Sequence, residues 1–506
     1  MFPAMMVYLV LVLIRPQDYP ALADSLAYPL QPIALLTAAG FWMLSPRKDF
    51  GAPQFLLLLG FFCVLMLSHV FNGWIGGALE QLEKFAPVVL AFVVFTHALD
   101  SRERIRKAMA MLVLCATVLA AHGIEQAQIG VGWTGVGLSQ GTRIQYVGIF
   151  NDPNDLGMLF VTCIPMAFWL GSRGGMMGLR RLWWWSLAGT LLYGVYLTDS
   201  RGSLLGVLAM LGVYVWQTRG LFIAGVGGVF AFAAMLALPS RLQELDASEA
   251  SAHGRIESWY EGLMMFRGDP LLGIGPDMYS DVYHLTAHNS FVLVLAETGI
   301  VGFTLWIAFI GYAFRMMWVA SRPVADAFEL DDGGQDDVWG DTGAGASRRA
   351  EAPADARWQP MPAAPAAPVA LEGSGVQAAG TSLTLVEIEP RNDDDDEQAR
   401  DHRDDAHDDA EFAEQLAEQT EGRSIALTLL LSLVGFWTTA FFLSRSYVVV
   451  LYLVAALVLA HYLELRRRDP ELPDFALGRD ALMWPLLSVG AVIGLYVLVK
   501  VLLIIQ

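Results

Sequence analysis

Apolar runs separated by short polar turns dominate the chain, centring on residues 5–14, 30–44, 54–71, 83–99, 108–123, 155–171, 183–198, 203–217, 220–238, 290–318, 424–443, 446–465 and 481–505. A helix needs roughly 20 apolar residues to cross the hydrocarbon core of a bilayer, and about 17 suffice. The pattern predicts an all-α, polytopic transmembrane protein with 12 to 13 spans, the shortness of the run from Met5 to Ile14 leaving the count open by one. That run has no basic flank before it and no small-residue cleavage site, so it reads as a retained first span rather than a secretory signal. No internal repeat is visible.

Two connections are long: residues 239–289 and residues 319–423. The second contains GGQDD, PMPAAPAAP and NDDDDEQARDHRDD, compositions too polar and too rich in Pro, Ala and charge to bury a core. The expected organisation is a membrane domain over 1–322 that includes the loop 239–289, an acidic, low-complexity, disordered insert over 323–422, and C-terminal transmembrane helices over 423–506. Within the first loop, Gly254 to Phe266 is predicted as an amphipathic helix with Ile256, Trp259, Tyr260, Leu263 and Phe266 near one face. The run of Gly273, Gly275 and Pro276 reads as a turn before the next helix.

Composition agrees with lipid as the solvent: 55% of the residues are hydrophobic and the mean hydropathy is +0.46. The net charge of -19 belongs to the insert. From Pro323 to Gly422 there are 26 acidic residues and 6 arginines, a balance of -20, which leaves +1 for everything else. No nucleic-acid partner is implied. The Asp and His of the insert fit a solvated acidic tract better than a metal site. Cys63, Cys115 and Cys163 lie in apolar runs without paired spacing, so neither a disulfide framework nor a zinc site is suggested.

Lysine and arginine in connecting segments favour the cytoplasmic side. With the N-terminus inside, alternate connections carry Arg47 and Lys48; Arg102, Arg104, Arg106 and Lys107; Arg173, Arg180 and Arg181; Arg219; Arg315 and Arg322; and Arg466 to Arg468. The opposite set holds only Arg15, Arg143, Arg201, Arg241, Arg255, Arg267 and Arg445. This topology puts the loop 239–289 outside and the acidic insert in the cytoplasm.

Charge at a span edge must be held by partners, so three outer elements are candidates for function. In GTRIQYVGIFNDPNDLG, Arg143 precedes a turn built from Asn151, Asp152, Asn154 and Asp155 around Pro153; these are capping residues or substrate contacts. In TDSRGSLLG, Asp199 and Arg201 occupy a tight turn; they form either a local pair or a phosphate-binding feature, since an arginine fork matches phosphate oxygens. The third element is the loop that closes with HLTAHNSF. His288, at the mouth of a long apolar helix, is a candidate general base, because an imidazole with a pKa of about 6.5 is mostly neutral at physiological pH. His284 with Asp277 or Asp281 could alternatively form a metal site, although no HExxH or comparable spacing supports one.

His288 and Asn289, followed after nine residues by Gly299 and after two more by Gly302, resemble the signature of the O-antigen ligase superfamily. FNDPND, the SRG turn and the GR...W...GDPLLGIGP stretch resemble that family's other recurrent segments in the same order, over roughly residues 50–465. The insert departs from the family's usual short connection. The resemblance implies a metal-independent glycosyltransferase without a cofactor, in the bacterial inner membrane, acting on its extracytoplasmic face. Such an enzyme moves a glycan from a polyprenyl (undecaprenyl) diphosphate donor to an acceptor hydroxyl on a lipid, another polysaccharide or a protein, among membrane lipid. Carried over, His288 is the base or acceptor-positioning group and Arg201, Arg255 and Arg143 grip the diphosphate, with Asn289, Asp199, Trp259, Asn151, Asp152 and Asn154 in support. Two other functions fit the same outer charges: a polymerase of lipid-linked oligosaccharide, and a small-anion transporter, for which internal symmetry would be expected.

Overall fold

Each of the thirteen apolar runs is helical in the computed structural model, which describes residues 1–19, 29–46, 48–173, 178–236, 245–322 and 393–505. The helices are α1 (Phe2–Ile14), α2 (Leu30–Met43), α3 (Pro53–Phe71), α4 (Ile75–Ala98), α5 (Arg102–Ile129), α6 (Pro153–Ser172), α7 (Leu179–Leu197), α8 (Arg201–Arg219), α9 (Leu221–Leu236), α10 (Leu245–Gly268), the single turn α11 (Tyr279–Val282), α12 (Ser290–Ala320), α13 (Asp393–Ala440), α14 (Val449–Arg468) and α15 (Met483–Ile505). Among the described residues β structure is limited to isolated bridges, Val131 with Gly137 and Ser139 with Arg143.

Among the described residues, seven helices are long and apolar enough to cross a membrane by length and composition: Pro53–Phe71, Arg102–Ile129, Pro153–Ser172, Ser290–Ala320, Ala413–Ala440, Val449–Arg468 and Met483–Ile504. This is fewer than the 12 to 13 spans expected. The first two helices have only 13 and 14 residues, about 20 Å of helix at 1.5 Å per residue. In α4, Glu80, Glu83 and Lys84 interrupt the apolar run, and α7 begins on Arg180 and Arg181.

The chain divides into one unit of Met1–Val324 with Ala417–Gln506 and a second of Ala325–Leu416. In the first, α6 and α14 are central, with 89% and 83% of their apolar windows buried, whereas α15 is peripheral at 17%. Helix α12 packs against α3, α10, α14 and α15, and α6 against α5, α7 and α8. Aromatic rings fill the core, among them Phe92, Phe95, Phe160, Trp306 and Tyr452, all fully or almost fully buried.

Most of the acidic insert, residues 323–392, lies outside the described residues. Residues 393–422, expected to be disordered, instead form the first part of α13. The stretch is rich in Glu, Gln and Ala, good helix formers, and its aspartates sit at the helix N-terminus, where negative charge is favoured.

Helix α12 is broken where the sequence places its glycine pair. Gly299 has φ 62° and ψ -166°, a conformation essentially restricted to glycine. The break frees carbonyls that the segment 270–275 satisfies: the N–H of Ile274 donates to Ala296 O and that of Gly275 to Glu297 O, each at 3.0 Å. In return Ile300 N–H donates to Pro270 O at 2.8 Å. Ser68 Oγ donates to Leu272 O at 2.6 Å and to Glu297 O at 3.0 Å, and Asn72 Nδ2 to Gly273 O at 2.8 Å, so α3 supports the same junction. A Cβ on Gly273 would fall on the backbone of Glu297, and one on Gly299 on the backbone of Leu271.

Candidate functional site

The polar connection before α6 is tied together by its own side chains. Asp152 is the N-cap, its Oδ1 accepting from Asn154 N–H at 2.7 Å and from Asn154 Nδ2 at 2.8 Å. Asn154 Oδ1 in turn accepts from an Arg143 terminal nitrogen at 3.0 Å, and Arg143 Nε donates to the Thr198 carbonyl at 2.9 Å. One chain of hydrogen bonds therefore fixes Arg143 between the start of α6 and the end of α7. Asn151 is exposed beside it.

Asp199 lies in the left-handed region at φ 49°, a conformation Asp tolerates better than most residues. Ser200 then caps α8, accepting from Ser203 N–H at 3.3 Å. Arg201 is the first residue of α8 and is exposed. A cation at a helix N-terminus opposes the helix dipole, so local stability does not account for this arginine. An anion would be favoured by both the side chain and the free N–H groups of the helix end.

The loop helix α10 brings the third guanidinium. Ile256, Trp259 and Leu263 are buried on the face that packs on the bundle, the Trp259 ring 5.7 Å from that of Phe441 at an edge-on angle. Trp259 thus anchors the helix, and Arg255 is left half-buried near the other two arginines. Its pKa is pushed down by burial, then by the positive charges of Arg143 and Arg201, with Asp152 opposing. The positive charges of Arg143 and Arg201 thus bear on Arg255, and the carboxylate of Asp152 offsets them in part.

His288 completes the arrangement. It too is left-handed, at φ 48°. The residue after it, Asn289, is fully buried and caps α12, its Oδ1 accepting from Phe291 N–H at 2.8 Å and Val292 N–H at 3.1 Å. The imidazole is held below its ordinary pKa of 6.5 by burial and by the charge of Arg255, Asp152 opposing and Arg445 adding to the effect. Asp152, expected either to cap or to contact substrate, both caps α6 and bears electrostatically on His288 and Arg255.

Asp155, expected as a capping or substrate-contacting residue of the turn around Pro153, instead pairs with Arg445, to which the sequence pattern assigns no role. Arg445 Nε donates to Asp155 Oδ1 at 2.6 Å, joining the turn between α13 and α14 to the first turn of α6. The sequence signal was an arginine in a short connection on the base-poor side; its partner lies 290 residues away, beyond local pattern. The other motif residues go elsewhere. His284 is exposed with its ring 4.5 Å from that of Tyr283, and Asp277 accepts from Gln81 and Lys84 at 2.9 Å each.

An apolar cleft of about 700 Å³ runs beside the site, lined by Leu205, Leu208, Phe291, Phe314, Trp437 and Phe442 among others. It is continuous with the polar cluster through sequence: Phe291 follows Asn289 by two residues, and Phe442 packs beside Gly202, next to Arg201.

Residues 186–307 match the family model described as O-antigen ligase. The matched segment contains Arg201, Arg255, His288, Gly299 and Gly302 and ends within α12. Among curated proteins none matches the chain.

Proposed function

From the match of residues 186–307 to the O-antigen ligase family, we propose that the protein is a membrane glycosyltransferase that moves a glycan from polyprenyl diphosphate, typically undecaprenyl diphosphate, to an acceptor hydroxyl. The site faces the extracytoplasmic side of the bacterial inner membrane, as the lysine and arginine distribution favours. The observation that carries the reading is the convergence of Arg143 and Arg201 on Arg255, whose own charge bears on His288. The half-buried Arg255 feels the positive charges of Arg143 and Arg201, and a bound anion would relieve that repulsion.

The chemistry follows from these groups. As the bond between the sugar C1 and the diphosphate oxygen breaks, the leaving group takes the electron pair and its negative charge grows. Preplaced guanidiniums then stabilise the transition state more than the ground state. His288, held neutral, accepts the proton of the acceptor hydroxyl as the new C1–O bond forms. The apolar cleft beside Arg201 suits the polyprenyl tail, with the diphosphate at its polar end. A direct displacement inverts the anomeric carbon; a product with the donor configuration, seen by NMR, would overturn that step.

The glycan profile of a strain carrying His288→Ala tests the whole reading. Underglycosylated acceptor with accumulated lipid-linked glycan is the expected result, and normal glycans would remove His288 from catalysis. Chain length separates transfer to acceptor from polymerisation: loss of a polymerase leaves single repeats attached to the acceptor, loss of a ligase leaves the acceptor bare.

A further inference from the structure

Arg445 lies outside the matched segment, more than a hundred residues after His288 in sequence, yet the turn that carries it is tied to Ser290, two residues after His288, by hydrogen bonds between side chains and backbone. Ser290 Oγ donates to Leu443 O at 2.6 Å and accepts from Arg445 N–H at 3.2 Å. Ser446 Oγ donates to Ser290 O at 3.0 Å, and Tyr452 OH to Ser446 O at 2.9 Å. Ser290 is two residues from His288. The backbone of Arg445 is thus fixed against the start of α12.

We propose that Arg445 is a fourth guanidinium of the donor site, set toward the leaving diphosphate beside His288, with Asp155 as the positioning residue that holds it there. The assignment rests on the glycosyltransferase reading above and adds a residue to it.

The ion pair is asymmetric in a way that sealing the bundle does not require. The Asp155 side chain is 3% exposed and the Arg445 side chain 36%. The buried acid takes one edge of the guanidinium through Nε, and among the described residues its second oxygen has no hydrogen-bond partner. A pair that only closed the bundle would bury both ions and use both carboxylate oxygens, because each unpaired edge is costly out of water. Here the acid anchors the base from behind. A guanidinium carries five N–H donors, so an Nε contact leaves the terminal groups for another acceptor.

Charge supports the same role. Arg255 and Arg445 both bear on His288, where an unaccompanied second cation would add to the positive charge around the ring. Asp155 brings one negative charge with Arg445, so the pair supplies N–H donors without raising the net charge. A diphosphate esterified at both ends carries two negative charges and gains a third on leaving; more donors, rather than more fixed charge, is what accommodating it requires.

The test is binding of radiolabelled undecaprenyl diphosphate to the full chain in nanodiscs, which reads the site without glycan transfer. Arg445→Ala is expected to weaken binding about 10- to 100-fold, the scale of a charge-assisted hydrogen bond or two, with undecaprenyl monophosphate much less affected. Arg445→Lys recovers part of the loss. Asp155→Ala weakens binding as well, and Asp155→Asn, which keeps an acceptor for Nε but not the balancing charge, recovers part of the loss. Wild-type affinity in Arg445→Ala, while Arg201→Ala loses binding, would overturn the assignment; so would failure of the Ala and Lys variants alike to fold, which would make Arg445 structural. Absence of diphosphate binding by the wild-type chain would overturn the reading of the site itself, and this assignment with it.

Discussion

His288 is kept neutral by burial and by the cations around it, and the sign of the resulting pH dependence is fixed. A base whose pKa lies below its ordinary value works above that pKa and fails as the pH falls through it. The acidic limb of kcat/KM is therefore expected below 6.5, the ordinary imidazole value. Arg255→Ala removes a positive charge beside the ring and raises the limb toward 6.5; a limb that stays in place in that variant would remove Arg255 from the surroundings of the base. In the proposed mechanism the arginines act on the leaving group. By analogy with the loss of one preorganised oxyanion donor, Arg201→Ala is expected to lower kcat/KM about 10²- to 10³-fold, measured with purified lipid-linked donor. A small change there would return Arg201 to a local role in its turn.

At the level of helices, the glycine pair of the His288 signature has a mechanical role. Gly299 takes a conformation open to glycine alone, and its missing side chain makes room for Leu271. Gly299→Ala is expected to cost about 1–3 kcal/mol from the backbone alone, more with the clash, and to displace the 270–275 segment; a lowered midpoint of thermal unfolding in detergent checks it. The cap is a milder lesion: Asn289→Ala should cost about 1 kcal/mol. The helices themselves were legible because apolar runs of this length leave the backbone few alternatives. So was the buried face of α10, whose Ile256, Trp259 and Leu263 follow helical spacing. The Arg445–Asp155 pair was not, since nothing local to either residue encodes a partner 290 positions away. The helical state of residues 393–422 is not legible from polarity, which disorder and an exposed helix share; Glu, Gln and Ala in an extension of an apolar helix need only propagate it.

Across the whole bundle, the helix ends remote from His288 are gathered by acids that close the acidic segment. Glu421 pairs with Arg106 at 3.0 Å and Arg173 at 2.5 Å, and lies 3.9 Å from the buried Arg102. Glu464 adds Arg102 at 3.6 Å and Arg468 at 2.6 Å. Four helices, α5, α6, α13 and α14, thus meet on two carboxylates. Glu421→Ala leaves Arg102 undercompensated and is expected to destabilise the protein by about 2–4 kcal/mol, a shift that denaturant titration in detergent would read; an unchanged midpoint would show these pairs to be dispensable. The concentration of base on this side was legible from the sequence, while the single acid that joins three arginines was hidden among 26 acids of the insert.

The break in α12 separates two duties that a continuous helix would combine. Residues 290–298 form a short rod whose aim is set by the 270–275 segment and by Ser290, whereas residues 300–320 match the hydrocarbon. A bilayer that thickens or thins by a few Å tilts or strains the longer part, and the 270–275 segment, bonded on both sides of Gly299, braces the break against that rotation. Under the proposed function, the aim of the imidazole would then depend on this loop segment rather than on the chain length of the lipids around the helix.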